Sequence, residues 1–157
     1  MSYLTQKTIK NKVSFSGIAL HSGLNVNVCL VPARPNTGII FKRVDLNKNN
    51  LVYPNFMNVT NTSLNTTIEN EFGIKISTIE HLMCALFGMG IDNVIVEIDN
   101  EEVPILDGSA KLFIEKIISA GIEVSNEPIK IIKIKKEIEY SEGKKFISIK
   151  PSTLSLD

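Results

Sequence analysis

The chain reads as an α+β fold: a two-layer sandwich in which a mixed or antiparallel sheet packs on two helices, with a β-hairpin after it. Three observations predict this. Over the first hundred positions, apolar and polar residues alternate in short runs between turn residues, as half-buried strands require. Two segments, one after Ser77 and one after Asp107-Gly108-Ser109, carry apolar residues at helical spacing. From Ile129 the alternation returns around a single turn.

The elements follow in order. Val26, Val28 and Leu30 alternate with Asn25, Asn27 and Cys29, which predicts one half-buried strand closed by Pro32. The turn Pro35-Asn36-Thr37-Gly38 then hands the chain to a strand from Ile39 to Arg43. An irregular, Asn-rich stretch from Asp45 to Asn61 precedes a strand expected around Leu64 to Ile68. Ser77 stands three residues before Glu80, the spacing of a capping box, and Ile79, Leu82, Met83 and Leu86 recur at helical spacing. A helix is therefore expected from about Ser77 to Phe87, ended by Gly88 and Gly90, with a buried strand over Asn93 to Ile98. The second helix runs through Leu112, Phe113, Ile117 and Ile118, with Asp107 and Ser109 as candidate N-caps and Gly121 as its stop. Ile129 to Tyr140 and Lys145 to Lys150 read as a hairpin joined at Ser141-Glu142-Gly143-Lys144. A lone hairpin is marginal in water, so it either packs on what precedes it or opens a second domain. The final Leu154-Ser155-Leu156-Asp157 still alternates like the beginning of a strand. The expected division is a domain over 1–125 and the truncated start of another over 126–157.

With 157 residues, 43% hydrophobic and 22% charged, the chain has the composition of a globular protein large enough for a sizeable core. Seventeen basic residues balance seventeen acidic ones, so no overall field draws it to nucleic acid or to an anionic membrane. The lysines interleaved with isoleucines between Lys130 and Lys136 read as the wet face of a strand. The opening MSYLTQKTIKNK lacks an apolar signal core, and no run approaches the roughly eighteen apolar residues of a membrane span. Cys29 and Cys84 sit in apolar runs where buried thiols are common, and they do not suggest a disulfide framework. A cytoplasmic location is the expectation, and the sequons at Asn58, Asn61 and Asn65 carry no glycosylation reading there.

Chemistry-bearing patterns are sparse. His21 and His81 are the two histidines, and neither has a second histidine at zincin spacing, since Ala85 stands four residues after His81. Cys84, three residues after His81, lies on the same helical face and is one possible co-ligand. Glu80 has two readings that do not exclude each other: the capping-box partner of Ser77, or a catalytic carboxylate beside His81. His21, within Gly17-Ile18-Ala19-Leu20-His21-Ser22-Gly23, reads as a turn residue. No Walker loop, nucleophile elbow or dinucleotide fingerprint is present.

Four segments in order change the picture. Gly17-Ile18-Ala19-Leu20-His21-Ser22-Gly23, Ile76-Ser77-Thr78-Ile79-Glu80-His81-Leu82, Gly90-Ile91-Asp92-Asn93 and Val103-Pro104-Ile105-Leu106-Asp107-Gly108-Ser109-Ala110 together resemble the zinc-dependent UDP-3-O-acyl-N-acetylglucosamine deacetylases of lipid A biosynthesis. The similarity extends over essentially the whole chain. Members of that family are about twice this long and consist of two similar domains, each a sheet layered on helices, with the active site between them. The resemblance implies Zn2+ as cofactor, His81 as one of three zinc ligands and Glu80 as general base. It places Leu64, Asn65 and Thr66 along the substrate pocket, Asn65 standing where several relatives have cysteine, and adds His21 and Asp107 as further pocket residues.

What the resemblance implies overall is hydrolysis of the acetamide of UDP-3-O-(3-hydroxyacyl)-N-acetylglucosamine, releasing acetate and leaving a free amine. The remaining zinc ligands, a histidine and an aspartate, together with the acid that protonates the leaving amine, would come from a C-terminal domain beyond Asp157. The expectation is therefore a catalytically incomplete half, with no nucleic-acid partner and no stable membrane insertion. Two rivals are a stand-alone, non-catalytic binding domain with a well-capped helix, and a homodimer in which two copies share a metal through His81 and Cys84 or His21.

Overall fold

A computed structural model of the chain describes residues 4–152. The strands are β1 (Thr5–Ile9), β2 (Val13–Ile18), β3 (Asn25–Pro32), β4 (Ile39–Arg43), β5 (Leu51–Val52), β6 (Val59–Asn61), β7 (Thr67–Glu69), β8 (Lys75–Ile76), β9 (Val94–Ile98), β10 (Ile122–Pro128), β11 (Ile138–Glu142) and β12 (Lys145–Ile149). The helices are α1 (Glu80–Gly88) and α2 (Lys111–Ala120), and a single 3-10 turn covers Phe56–Asn58.

The central sheet has the order β2-β3-β9-β4-β5. It is mixed: β4 and β9 are parallel, from Ile39 opposite Val94 to Arg43 opposite Ile98, and the other neighbours are antiparallel. The alternation read from the sequence decides which face is wet. Val26, Val28 and Leu30 of β3 are buried, as are Val94, Val96 and Ile98 of β9, while Asn25 and Asn27 face solvent. Against that apolar face lie Leu82, Ala85 and Leu86 of α1 and Phe113, Ile117 and Ala120 of α2, in one contiguous core. The Phe15 and Phe113 rings meet edge to face, 5.6 Å apart at 76°, and couple β2 to α2. The expected α+β sandwich of a mixed sheet on two helices is what forms.

Several local expectations need correction. Helix α1 starts at Glu80 with Ile79 as its N-cap and no side-chain cap, because the Ser77 amide donates instead to the Glu101 carbonyl at 2.7 Å. Ser77 and Glu102 form a parallel bridge, which holds Ser77 in extended backbone and removes it from the helix. The strand expected around Leu64 begins only at Thr67, since Leu64 has φ 65 and cannot continue a ladder. The Asn-rich stretch contains β5, the 3-10 turn and β6, so it is less irregular than expected. Residues 129–137 form no strand, so Lys130 to Lys136 lie in exposed coil and the hairpin begins at Ile138. Cys84 is exposed and Cys29 half-buried, neither being the buried thiol expected. Strand β10, which the sequence did not suggest, pairs antiparallel with β1 from Ile9 opposite Ile122 to Thr5 opposite Pro128. The alternating end Leu154-Ser155-Leu156-Asp157 lies outside the described residues. Among the described residues, no helix is long and apolar enough to cross a membrane.

The Gly90-Ile91-Asp92-Asn93 segment has a structural explanation. Asn93 is buried and fully engaged: its Oδ1 accepts from the Gly38 amide at 2.9 Å and its Nδ2 donates to Gln6 Oε1 at 3.0 Å. Gln6 in turn accepts from the Asn36 amide and donates to the Pro128 carbonyl, while Asp92 Oδ2 accepts from the Lys7 amide at 2.7 Å. This satisfied network ties β1, the β3–β4 turn, β9 and β10 together at the C-terminal end of α1.

Candidate active site

The other three segments converge at the opposite end of α1. The Val103 amide donates to the Ser77 carbonyl at 3.1 Å, and the Ile105 amide donates to the Ile18 carbonyl at 3.0 Å. The Val103 to Ala110 segment therefore runs between the Gly17 to Gly23 turn and the approach to α1. Gly17 is required by close contact: a Cβ there would lie 2.9 Å from Leu106 Cδ2 and 3.1 Å from Pro104 Cβ. Gly17→Ala should cost about 1–3 kcal/mol by overpacking this junction. A lowered urea midpoint at unchanged slope checks it, and an unchanged midpoint would mean the segment yields freely.

Glu80 and His81 are the first two residues of α1, and both are half-buried. The Thr66 amide donates to Glu80 Oε2 at 3.0 Å, and the Ile79 amide donates to the Thr66 carbonyl at 3.5 Å. Thr66 thus docks the stretch before β7 onto the helix start and fixes the carboxylate, which does not bond to Ser77. Adjacent helical positions point about 100° apart, so Glu80 and His81 address neighbouring points of one surface. Among the described residues, neither the His81 ring nor the His21 ring has a hydrogen-bond partner, and Glu80 Oε1 has none.

Leu64 is 91% exposed, and its left-handed backbone turns it away from the core. Asn65 Oδ1 accepts from the Thr67 hydroxyl at 3.0 Å. Asn65 and Ser77 border an open polar groove of about 490 Å3 that Glu69, Lys75 and Glu101 also line. A cleft of about 530 Å3 lies apart from these residues, beside Tyr53 and Phe72. Asp107 is exposed and accepts from both the amide and the hydroxyl of Ser109 at 3.0 Å. The Ser109 amide and hydroxyl hold its carboxyl below the ordinary range. Ser109, and not Asp107, bonds the first helical amide, Lys111, at 3.1 Å, so Asp107 braces the cap at one remove. Among the described residues, no hydrogen bond links Asp107 to Glu80, His81 or His21.

Sequence reasoning missed Glu102. It is 3% exposed, and three donors converge on it: the amides of His21 and Ser22, each at 2.9 Å, and the Thr78 hydroxyl at 3.0 Å. Burial pushes its carboxyl upward, but these donors together with the Ser22 hydroxyl outweigh that and leave it below the ordinary glutamate value. Nearby, the buried Arg43 grips Asp45 through Nε at 2.8 Å and Nη2 at 2.6 Å and reaches the Lys75 carbonyl at 3.4 Å. That steadies the strand leading to Ser77. Three non-glycine residues with positive φ punctuate the site segments: Leu64 at 65°, Thr78 at 56° and Leu106 at 52°. For a β-branched residue such as Thr78 this is a costly conformation, and backbone of this kind concentrates at functional sites.

As a metal centre, the donor set here is partial. Among the described residues, no group of three or more His, Cys, Asp or Glu side chains gathers as a cation site. What the helix start offers is one imidazole, with a tethered carboxylate next to it, which fits a share of a zinc site.

The family model described as UDP-3-O-acyl N-acetylglycosamine deacetylase matches residues 6–157. The UDP-3-O-acyl-N-acetylglucosamine deacetylase of Histophilus somni (strain 129Pt) is 45% identical over 148 residues, covering 94% of this chain and 48% of that protein. That of Pseudoalteromonas atlantica is 48% identical over 148 residues, covering 94% and 49%. That of Haemophilus influenzae (strain PittEE) is 45% identical over 149 residues, covering 94% and 48%. The chain spans about half the length of the curated relatives it matches. With three of its four characteristic segments laced together at the start of one helix and this match along nearly its whole length, the chain belongs to the UDP-3-O-acyl N-acetylglycosamine deacetylase family.

Proposed function

We propose that this chain is the first domain of a zinc-dependent deacetylase and the opening hairpin of its second, acting on UDP-3-O-(3-hydroxyacyl)-N-acetylglucosamine in the cytoplasm during lipid A synthesis. The observation that carries the reading is the helix start, where Glu80 is tethered through one oxygen to the Thr66 amide and His81 follows it with a ring that has no hydrogen-bond partner among the described residues. The hairpin supports it. Ile138, Tyr140, Ile147 and Ile149 share one face across the β11–β12 ladder and are exposed, an apolar surface suited to a partner layer.

In this reading His81 lends one imidazole to the zinc ion, and the remaining ligands come from the C-terminal domain. When bound, zinc lowers the pKa of water towards about 7 and polarises an amide carbonyl. Glu80 takes the proton from the attacking water on Oε1, while the Thr66 amide keeps Oε2 in place so that the base does not swing. Leu64, Asn65 and Thr66 line the substrate pocket, with His21 and Asp107 as further pocket residues. An acid from the C-terminal domain would protonate the amide nitrogen as its bond to the acyl carbon breaks, so that acetate leaves and the amine stays on the glucosamine. The isolated chain, holding one ligand of three, is expected to bind zinc weakly and to release no acetate.

Elemental analysis tests the metal share. Mixed with the second half of one of its relatives, the chain should hold about one zinc per pair, and His81→Ala should lose it. Zinc retained undiminished by the His81→Ala mixture would refute the ligand assignment and favour a stand-alone binding domain. Zinc held by the chain alone, in proportion to dimer, would favour the shared-site homodimer.

A further inference from the structure

We propose that Glu102 is a positioning residue for this site: its buried carboxylate clamps the His21-Ser22 loop and the left-handed Thr78 turn together, and so sets His21 against the start of the helix that carries Glu80 and His81. The inference rests on the reading above. A carboxylate that is 3% exposed is costly to bury unless its lone pairs are used, and here both oxygens are engaged. Oε1 accepts from the His21 amide at 2.9 Å and from the Thr78 hydroxyl at 3.0 Å, and Oε2 accepts from the Ser22 amide at 2.9 Å. One oxygen therefore joins two segments about sixty residues apart in sequence, and one of them is two residues from Glu80.

Thr78 explains why a clamp is needed. Its φ of 56° is disfavoured for a β-branched residue and persists only where the surroundings impose it. Two constraints impose it: the backbone bridge between Ser77 and Glu102, and the side-chain bond from Thr78 to the same glutamate. The Glu101 carbonyl and the Val103 amide make the bridge to Ser77, so the turn is held by the backbone on either side of Glu102 and by the Glu102 carboxylate itself. The same carboxylate keeps the two adjacent loop amides pointing inward, while His21 itself is exposed and its ring has no hydrogen-bond partner among the described residues. Glutamine at 102 keeps the shape but presents an NH2 to one donor, so one of the three bonds turns into a clash between donors.

The test has two independent readouts. In the isolated chain, Glu102→Gln should move the His21 and Ser22 amide resonances upfield and strip their exchange protection, while the Leu82 and Phe113 amides stay protected. In the reconstituted mixture, the same variant should lower kcat about a hundredfold, as a displacement of about 1 Å in a site can, with KM within about twofold. Adding Thr78→Gly, which accepts the left-handed backbone without a clamp, should recover about tenfold of that loss. If the core amides also lose protection in Glu102→Gln, Thr78→Val takes its place: it removes one donor and should cost about tenfold in kcat. Unmoved His21 and Ser22 amides, or kcat within about twofold of wild type in the variant measured, would overturn the proposal. If the wild-type mixture itself releases no acetate, the deacetylase reading fails, and the amide shifts still decide whether Glu102 is the clamp.

Discussion

Glu80→Gln, made in the chain and assayed in the mixture with a second domain, is expected to reduce acetate release by about 10²- to 10⁴-fold, the usual contribution of a positioned general base. Glutamine preserves the volume and can still accept the Thr66 amide through its carbonyl oxygen, so the helix start should survive. What it removes is the basicity of the second oxygen. On the proposed assignment, with His81 as the ligand and Glu80 as the base, zinc content should be unchanged. That combination, activity lost with metal retained, separates a base from a ligand. If zinc and activity fall together, Glu80 belongs to the coordination sphere. If neither changes, its bond to Thr66 is its whole role.

The second large effect concerns the layer that carries the helix. Phe113→Ala should destabilise the chain by about 3–5 kcal/mol, against a total that for a domain of this size is about 5–15 kcal/mol. Phe113 is 0% exposed and sits edge-on to Phe15, so truncation empties the seam between α2 and β2. Ile118 on the same helix is 61% exposed, and Ile118→Ala should stay within about 0.5 kcal/mol. Urea denaturation of the two variants measures the contrast. Equal shifts would mean that the helix layer is not packed as described.

Much of the fold was legible because its signals are local. The alternation in β3 and β9 and the punctuation of β4 by Pro35 to Gly38 each specify one element without reference to the rest. So does the apolar period of α2, ended at Gly121, whose φ is 73°. Where sequence reasoning failed, a long-range contact had overridden a local rule. Ser77 has the spacing of a capping box, but its amide is taken by Glu101, a partner remote in sequence, and the helix begins three residues later. Leu64 resembles the start of a strand, but its positive φ turns it outward. Strand β10 is almost entirely exposed and lacks alternation, so only its pairing with β1 reveals it.

The site was legible in part for the same reason. Glu80, His81 and Thr66 lie in or beside recognisable segments, and the structure joins Thr66 to Glu80 by a direct hydrogen bond, with His81 next in the helix. Glu102 stands beside another glutamate, which reads as a solvated surface pair. A weak signal existed, since it immediately precedes the buried Val103 and Pro104. Only the convergence of donors from His21, Ser22 and Thr78 gives it a role.

The most direct measurement of the central claim is acetate release from UDP-3-O-acyl-N-acetylglucosamine by the chain, by the second half of a relative, and by the two together. Release from the mixture alone, abolished by His81→Ala in this chain, is the expected result. Release by the isolated chain at the rate of the mixture, or a zinc-loaded mixture that releases none, would contradict it.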